Sequence, residues 1–281
     1  MKITLSRKGF DSASGGCPNP IFPDGSMLAL PIPDRDASVR YQDLVWRGRR
    51  LGELVPNMTG GKPRAHYGAH LDPDLDPAMR PRATGWRPVF GQVGPAQGHL
   101  RNEGVAVGDV FLFFGLFRRL GDDDRFVRGS PAIHAAWGWL QIGEIAVVDR
   151  DRSRLAWAGD HPHLAMQADP SNTLYIAADK LRLPGALELP GAGLFGTFSP
   201  KLRLTAPDST GPSTWLLPAW FHPEGRGSAL SYHGKAIAWE RCPEGVRLKT
   251  VGRGQEFVLD TKDYPEAIPW LADLLRPTGT R

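Results

Sequence analysis

The sequence predicts an α+β protein that is mainly β, with a mixed or antiparallel sheet as the core of a single domain and few short helices. Its 281 residues include 33 glycines and 26 prolines, and few windows of twelve residues lack both, which excludes a helical bundle. Residues 110–114 and 137–148 are apolar runs typical of strands buried on both faces. With 41% hydrophobic residues and nine tryptophans, the chain can bury a core, so disorder is excluded.

The N-terminal third is predicted to hold one strand, one helix and a long loop system. Residues 1–5 read as a strand that runs into a turn-rich segment. Residues 34–51 are the first helix, with Asp36 or Ser38 as the N-cap. From residue 56 to residue 95, prolines and glycines interrupt any helical or strand periodicity of the apolar residues. A long stretch of this kind in a compact domain is usually a functional loop.

The remaining two thirds are predicted to supply most of the sheet. Residues 132–149 are predicted to form one or two strands. The run 111–114 is predicted to be a central strand that pairs with residues 139–148, because the acidic turn at residues 122–124 suits a hairpin-like return. The second helix covers residues 263–275, with Asp263 as its cap. Further short strands are predicted at residues 174–177, 202–205, 236–241, 246–250 and 256–259.

Charge and cysteine content limit the class of protein. The formal net charge is +4, which is compatible with a polyanionic partner such as a nucleotide or DNA but does not require one. Cys17 and Cys242 lie too far apart for a CxxC site, so a structural zinc is excluded and two reduced thiols in a cytoplasmic protein are expected. The N-terminus lacks a signal-peptide pattern, and no apolar stretch approaches the ~18 residues of a membrane span.

The segment His70-Leu71-Asp72-Pro73-Asp74 carries the densest chemistry in the chain. In an extended backbone, alternation places His70, Asp72, Asp74 and Asp76 on one side, where nitrogen and oxygen atoms could bind one cation. The alternative is a turn at Asp-Pro with solvated carboxylates. On the first interpretation His70, Asp72, Asp74 and His99 are the candidate catalytic residues.

A second histidine pair, His161 and His163, flanks Pro162 and follows Asp160, which could orient one of the rings. Isolated pairs of this kind are often ordinary loop residues. Together with the carboxylates, however, the histidines would form a mixed site that suits Fe, Mn or Zn better than Mg or Ca. The predicted metal ligands are His70, His99, His134, His161 and His163.

The opening loop at residues 6–16 is a candidate phosphate or cofactor site. It combines glycines with Ser6, Arg7, Lys8 and Asp11, and exposed backbone N–H groups in such a loop can bind a phosphate. The alternative is a glycine-rich hairpin that returns the first strand to the sheet. Near the other end, Arg253 and Gln255 could likewise contact a phosphate and a base edge, or lie on a β-bulge.

Taken in order, several blocks of this sequence resemble the bacterial nucleotide-modification-associated domain, third type. The resemblance covers nearly the whole chain, so it implies one domain over residues 1–281 with residues 108–148 as the central β core. It also implies a part in the modification of bacterial or phage DNA bases, without a defined reaction. The blocks are Leu5-Ser6-Arg7-Lys8-Gly9-Phe10-Asp11, Gly15-Gly16-Cys17-Pro18, Phe22-Pro23-Asp24-Gly25, His70-Leu71-Asp72-Pro73-Asp74-Leu75, Gly98-His99-Leu100, Gly108-Asp109-Val110-Phe111-Leu112-Phe113-Phe114-Gly115, His134 with Gly138-Trp139-Leu140-Gln141, and His161-Pro162-His163.

A more local resemblance covers residues 108–148. A Gly-Asp turn before an apolar strand, followed by Gly143-Glu144-Ile145-Ala146-Val147-Val148, is similar to the PUA-like modules, including the EVE type. That resemblance implies a small β-barrel that binds RNA or a modified base in an aromatic pocket. Trp137 and Trp139 are bulkier than the pattern requires.

Two functions from different classes follow. In the first, the histidine and aspartate loops converge on a divalent Fe, Mn or Zn ion, and the protein is a metal-dependent enzyme that acts on a nucleobase or nucleotide. In the second, the protein is a non-catalytic reader that takes a flipped base between Phe114, Trp137, Trp139 and Gln141. A plain scaffold whose histidines are ordinary polar residues is the third interpretation. None of the three involves a membrane.

Overall fold

The computed structural model describes residues 1–184, 188–251 and 256–276, and these residues are organised around one large sheet. The strands are β1 (Lys2–Arg7), β2 (Asn19–Ile21), β3 (Ile32–Pro33), β4 (Val45–Trp46), β5 (Arg49–Arg50), β6 (Ala69–His70), β7 (Val89–Gln92), β8 (Val110–Arg119), β9 (Ile133–Val147), β10 (Thr173–Ala177), β11 (Ala192–Leu194), β12 (Thr214–Leu217), β13 (Trp239–Cys242), β14 (Gly245–Lys249) and β15 (Glu256–Asp260).

The helices are short and lie outside the sheet. Every helix in the described ranges falls below the length and hydrophobicity that crossing a bilayer requires. The α-helices are α1 (Leu51–Thr59), α2 (Gly94–Asn102), α3 (Val148–Asp151), α4 (Pro162–Ala165) and α5 (Ala267–Leu275). Single 3-10 turns cover Tyr41–Asp43, Arg152–Ala158, Pro200–Leu202, Ala219–Phe221 and Ala236–Ala238.

The main sheet is mixed, as the sequence predicts. Its order is β15-β1-β8-β9-β10-β7, with β2 added beside β8 and β11 beside β9. β1 and β2 run parallel to β8, and the other pairs are antiparallel. The predicted α+β, mainly β class is confirmed. Over the described residues β15 and β7 are the two ends of an open order, so the PUA-like barrel remains a prediction.

The hairpin of β8 and β9 is the centre of the sheet. Phe111 pairs with Leu140 and Leu112 with Trp139, and residues of both strands are buried along most of their length because neighbours cover both faces. The predicted pairing is confirmed at Phe111 and Leu112, whereas Phe113 and Phe114 pair with Gly138 and Ala136, before the predicted segment. The second part of β9 pairs with β10 instead, so this one long strand joins the two halves of the sheet.

The predicted helix at residues 34–51 is wrong. That segment holds one 3-10 turn and the β4–β5 hairpin, in which Arg47 and Gly48 both adopt positive φ. The hairpin pairs the backbone N–H and C=O groups that a helix would otherwise have paired. Helix α1 begins only at Leu51, after the N-cap Arg50. Asp36 and Ser38 therefore cap no helix. The region of residues 56–95 is also more ordered than predicted, since it contains β6 and β7.

Toward the C-terminus the predicted strands at 174–177, 246–250 and 256–259 are confirmed as β10, β14 and β15. The predicted strand at 202–205 is wrong, because the chain there leaves a 3-10 turn and makes only isolated bridges. The segment 236–241 begins as another 3-10 turn and becomes strand at Trp239. The last helix starts at Ala267 rather than near Asp263, and its N-cap is Glu266.

Candidate metal centre

Four polar side chains converge beside β7, on the side of the sheet where β6 and α4 lie. They are His70 at the end of β6, Asp72 two residues later, and His161 and His163, which flank the first residue of α4. The Asp72 side chain is 5% exposed, so a carboxylate lies almost entirely in the interior. A buried carboxylate is costly unless hydrogen bonds and opposite charges surround it.

The Asp72 carboxylate is oriented by the backbone of β7. Its Oδ1 accepts a hydrogen bond of 2.8 Å from the Gly91 amide. Its Oδ2 lies 3.9 Å from Nε2 of His70 and 3.6 Å from Nε2 of His163. The oxygen that is not held by the backbone therefore faces two imidazole nitrogens.

Both of those imidazoles are held by their other nitrogen. Nδ1 of His70 donates to Oδ2 of Asp34 at 2.9 Å, and Nδ1 of His163 donates to Oδ1 of Asn172 at 2.6 Å. Asn172 also donates to the His163 carbonyl, which fixes its amide orientation. With the proton on Nδ1, each ring presents an Nε2 lone pair, as histidines that bind metals do.

Local structure brings these orienting groups into place. β6 pairs with β3, so His70 lies opposite Ile32 and Asp34 is two residues beyond the pair. Gly91 allows the His163 ring to lie directly against β7, because a Cβ at that position would be 2.3 Å from Cδ2 of the ring. The close approach of the ring thus depends on the missing side chain.

His161 has a different environment from the other two rings. Its Nδ1 accepts a long hydrogen bond, 3.4 Å, from the His163 amide, so the neutral ring carries its proton on Nε2. That Nε2 is 3.3 Å from Oδ1 of Asp72, yet the direction of approach makes no hydrogen bond and the atom has no other partner among the described residues. His161 is thus placed to stabilise the charge of Asp72.

The electrostatics of the cluster favour an anionic centre between the rings. Burial would raise the pKa of Asp72, but the imidazoles of His161 and His163 outweigh it and hold that pKa well below the usual range. Burial lowers the pKa of His161. For His163 burial also acts to lower the pKa, but the Asp72 carboxylate outweighs it and the pKa is raised. A cation, either a proton or a metal ion, is therefore stabilised beside Asp72.

The residues fit a divalent metal by position and by chemistry. One ligand atom from each of His70, Asp72 and His163 lies within 4.8 Å of the others. Two neutral imidazole nitrogens and one carboxylate oxygen are the donor set of open transition-metal sites, which keep positions free for substrate or water. The sequence prediction had named His70, Asp72 and His163 for this site.

The other residues predicted for the site lie elsewhere. Asp74 makes a two-pronged ion pair with Arg82, at 2.6 and 2.7 Å. His99, on α2, bonds Ser231 through Nε2 at 2.9 Å. His134 accepts the Trp215 indole N–H at 3.0 Å inside the core. The structure therefore does not bring His99 or His134 to the Asp72 cluster, and Asp74 is occupied by an arginine.

The opening loop is held largely by its own contacts. Lys8 pairs with the buried Glu256 at 3.0 Å, and Asp11 accepts two amides of its own turn. Ser6 is buried in β1, while Arg7 is half-buried at the end of that strand. Arg253 and Gln255 fall outside the described residues.

The four residues predicted to form a base pocket do not share one. Phe114 packs in the core against His134 and Trp215. Gln141 bonds the carbonyls of Gly108 and Arg182. Their side chains are therefore occupied by the fold itself.

The two tryptophans of β9 point to opposite faces of the sheet. A register shift makes Trp137 an extra residue between the pairs Phe113–Gly138 and Phe114–Ala136, which is a β-bulge. Trp137 stacks on Phe113, whereas Trp139 pairs with Leu112. Because Leu112 and Phe113 are adjacent in a strand, they face opposite ways. The simple alternation that predicted a shared wall therefore does not apply.

Three residues that position the cluster were not predicted from the sequence. Asp34, Asn172 and Gly91 come from three separate segments, and each acts through contacts that only the fold creates. Asp160, the predicted orienting carboxylate, instead pairs with Arg80 at 2.8 Å. His161 and His163 are both buried, whereas isolated histidine pairs are often ordinary loop residues.

The fold and the cluster define a class: a mainly β, α+β protein with a buried two-histidine, one-carboxylate group that could hold a metal ion. The chain belongs to the family described as nucleotide modification associated domain 3, whose model matches residues 2–260. This confirms the family resemblance seen in the sequence and associates the protein with nucleotide modification. No curated protein and no solved structure gives a significant match to the chain.

Proposed function

We propose that the protein is a metal-dependent enzyme that modifies a nucleobase or nucleotide, with His70, Asp72 and His163 as the metal ligands. The observation that carries the proposal is the proximity of their ligand atoms, all within 4.8 Å, combined with the Nδ1 hydrogen bonds that leave both imidazole Nε2 atoms free. Family membership supplies the substrate class.

The donor set favours Fe, Mn or Zn over Mg or Ca, because imidazole nitrogen is a ligand of the former group. A bound metal of this kind would supply Lewis-acid polarisation of the substrate or activation of water. The chain's own residues do the rest. Asp34 and Asn172 fix the orientation of the two rings, the Gly91 amide holds Oδ1 of Asp72, and burial excludes bulk water from the carboxylate.

A small cavity lies beside the cluster, and its volume of about 20 Å³ holds about one water molecule and not a base ring. It reaches Asp72 and Pro73 and is walled by Trp137 and Leu30. Trp137 also lines an adjoining, mostly apolar cavity, and its indole N–H is buried without a partner among the described residues. In this proposal a base binds at this wall once the Trp137 side chain moves aside, and the unpaired indole donor then meets a nitrogen or carbonyl acceptor of the kind that nucleobases carry.

The experiment that tests the proposal is metal analysis of purified protein after reconstitution with Fe(II), Mn(II) and Zn(II). We expect one of these metals at one equivalent per chain, and loss of that metal on dialysis against a chelator. His163→Ala should weaken metal binding by orders of magnitude because it removes one of three ligands. The matched control is His222→Ala, a histidine outside the cluster, which should bind metal as the wild type does.

If the protein stays metal-free after reconstitution with each of the three metals, the proposed enzyme mechanism is contradicted. The Trp137 cavity then favours the second candidate, a reader that binds a modified base without changing it. For a reader, His163→Ala would leave nucleic-acid affinity nearly unchanged. Trp137→Ala would weaken it about tenfold, since base–aromatic stacking is worth about 1–3 kcal/mol.

A further inference from the structure

An open trough on the surface is lined by residues that lie close in sequence to His70 and to Asp34, which orients the His70 ring. It has a volume of about 530 Å³, which is within the usual range of ligand-binding clefts. Its lining residues are Gly15, Pro33, Lys62, Pro63, Arg64, His66 and Tyr67.

The trough presents positive charge beside an exposed aromatic ring. Lys62 and Arg64 are both exposed, and neither makes an ion pair with any side chain in the part of the chain that the structure describes. Tyr67 is 37% exposed. Cations spaced around an aromatic face are the combination by which proteins hold single-stranded nucleic acid, since the cations contact phosphates and the ring stacks on a base.

The backbone connects the trough directly to the metal ligands. Pro33, in its wall, pairs with Ala69, and the next residue, Asp34, orients the His70 ring. Tyr67 precedes His70 by only three residues, so their Cα atoms are at most ~11 Å apart. A strand held on Tyr67 would therefore run close to His70, whose side chain is 21% exposed.

We propose that this trough binds the backbone of a single-stranded polynucleotide, so that the substrate of the site is a base within a strand and not a free nucleotide. The inference rests on the proposed function for the location of the chemistry. It goes beyond it in assigning Lys62 and Arg64 to phosphates and Tyr67 to a stacked base. An open, cationic surface with one aromatic platform gains affinity from several consecutive phosphates, which a mononucleotide does not have.

The test is fluorescence anisotropy with labelled single-stranded DNA and RNA of about 12 nucleotides, with a mononucleotide as competitor. Lys62→Ala with Arg64→Ala should weaken oligonucleotide binding about tenfold, and should lower the slope of log Kd against log salt by about 1.4, for two lost phosphate contacts. Tyr67→Ala should weaken binding about tenfold, while Tyr67→Phe retains it. The relative affinity for DNA and RNA identifies which polymer is preferred.

The matched control is Lys235→Ala with Lys262→Ala, which removes the same charge from exposed lysines outside the trough and should leave the salt slope within error of the wild type. Equal losses in both double variants would overturn the assignment, as would a mononucleotide that competes as well as the oligonucleotide. Metal content, measured on the same samples, separates the two proposals. If the protein binds its full equivalent of metal but the trough variants bind the oligonucleotide as tightly as the wild type, only this inference is contradicted and the proposed function stands.

Discussion

At the scale of single residues, the most informative feature is that His70 and His163 are held in the same tautomer by groups from distant parts of the chain. Asp34 is 36 residues from His70, and Asn172 is nine residues from His163. Buried polar groups need hydrogen-bond partners in any case, so the informative point is that the held nitrogen is Nδ1 in both rings. The shared arrangement makes both Nε2 atoms available on the same side, toward Asp72.

Asp34→Asn should therefore weaken metal binding without unfolding the protein. The amide keeps the shape of the side chain but loses the charge that raises the basicity of the His70 ring, and a change of this kind typically costs 10- to 100-fold in metal affinity. The measurement is a metal-binding titration on the wild type and the variant. Asp36→Asn, two residues away and exposed, is the control, and an equal effect of the two variants would contradict the role given to Asp34.

Gly91→Ala should disturb the same centre from the other side. The added Cβ would lie 2.3 Å from the His163 ring, so the ring must move away from Asp72, and we expect at least a tenfold loss of metal affinity. Gly98→Ala is the control, because a Cβ at that helical position meets nothing within 4 Å and should stabilise α2 by up to about 1 kcal/mol. Unchanged metal binding in Gly91→Ala would show that the ring position is not critical.

The sequence predicts the candidate metal ligands better than it predicts the residues that orient them. Alternation along residues 70–76 correctly groups His70 with Asp72 in space but also includes Asp74. In the structure the Asp72 amide bonds the His70 carbonyl at 2.9 Å, and this tight turn ends the extended geometry on which alternation depends. Asn172 carries no signal in the sequence, because its role comes only from the packing of α4 against the start of β10.

At the scale of elements, the β8–β9 hairpin supports the wall against which the site is built. Phe111 is fully buried and contacts Phe90 and Tyr175, with ring centroids 4.9 and 5.0 Å away. Phe90 in turn precedes Gly91, whose amide holds Asp72. The hydrophobic core and the metal centre therefore share one strand, β7.

Phe111→Ala should lower the free energy of unfolding by about 3–5 kcal/mol, the usual cost of removing a buried aromatic ring. The measurement is urea unfolding followed by tryptophan fluorescence. Val107→Ala is the control, since that side chain is 61% exposed just before the strand, and it should change the stability by no more than about 0.5 kcal/mol. Similar effects of the two substitutions would mean that β8 is not the central strand.

Elements with strong apolar runs were predictable, and elements defined by turns were not. β8, β9, β10, β14 and β15 are all located from their apolar residues, because burial in a sheet demands them. The sequence of residues 34–51 predicts a helix because Tyr41, Leu44 and Val45 fall at helix-like spacing; in the structure Tyr41 and Leu44 are buried, but Val45 is 41% exposed. That spacing arises here from a 3-10 turn followed by a tight hairpin, which periodicity alone does not distinguish.

At the scale of the whole molecule, acid should destabilise the fold through His134. Burial lowers the pKa of this residue from 6.5 to about 4, so between these values the unfolded chain binds a proton that the folded chain does not. The free energy of unfolding therefore falls as the pH falls from 6.5 toward 4, by about 2 kcal/mol between pH 7 and pH 5.

His134→Gln should remove that part of the pH dependence, because glutamine does not titrate and its carbonyl can still accept the Trp215 indole N–H. Urea unfolding of both proteins at pH 7 and pH 5 measures how much stability each loses on acidification. The contributions of the titratable groups that both proteins share cancel when the two losses are compared. A wild type and a variant that lose the same stability on acidification would show that His134 is not buried in the neutral form.

The position of β1 has a consequence for how the chain is made. β1 lies between β8 and β15, and its partners are more than 100 and more than 250 residues away, respectively: Ile3 pairs with both Val110 and Leu259. During synthesis β1 emerges long before either of its neighbours exists, and β15 is made long after β8. The sheet is therefore completed late, from contacts of large sequence separation that form slowly. Until then the backbone groups of β1 and its two apolar side chains, Ile3 and Leu5, lack their sheet partners, and an unpaired strand edge of this kind favours aggregation.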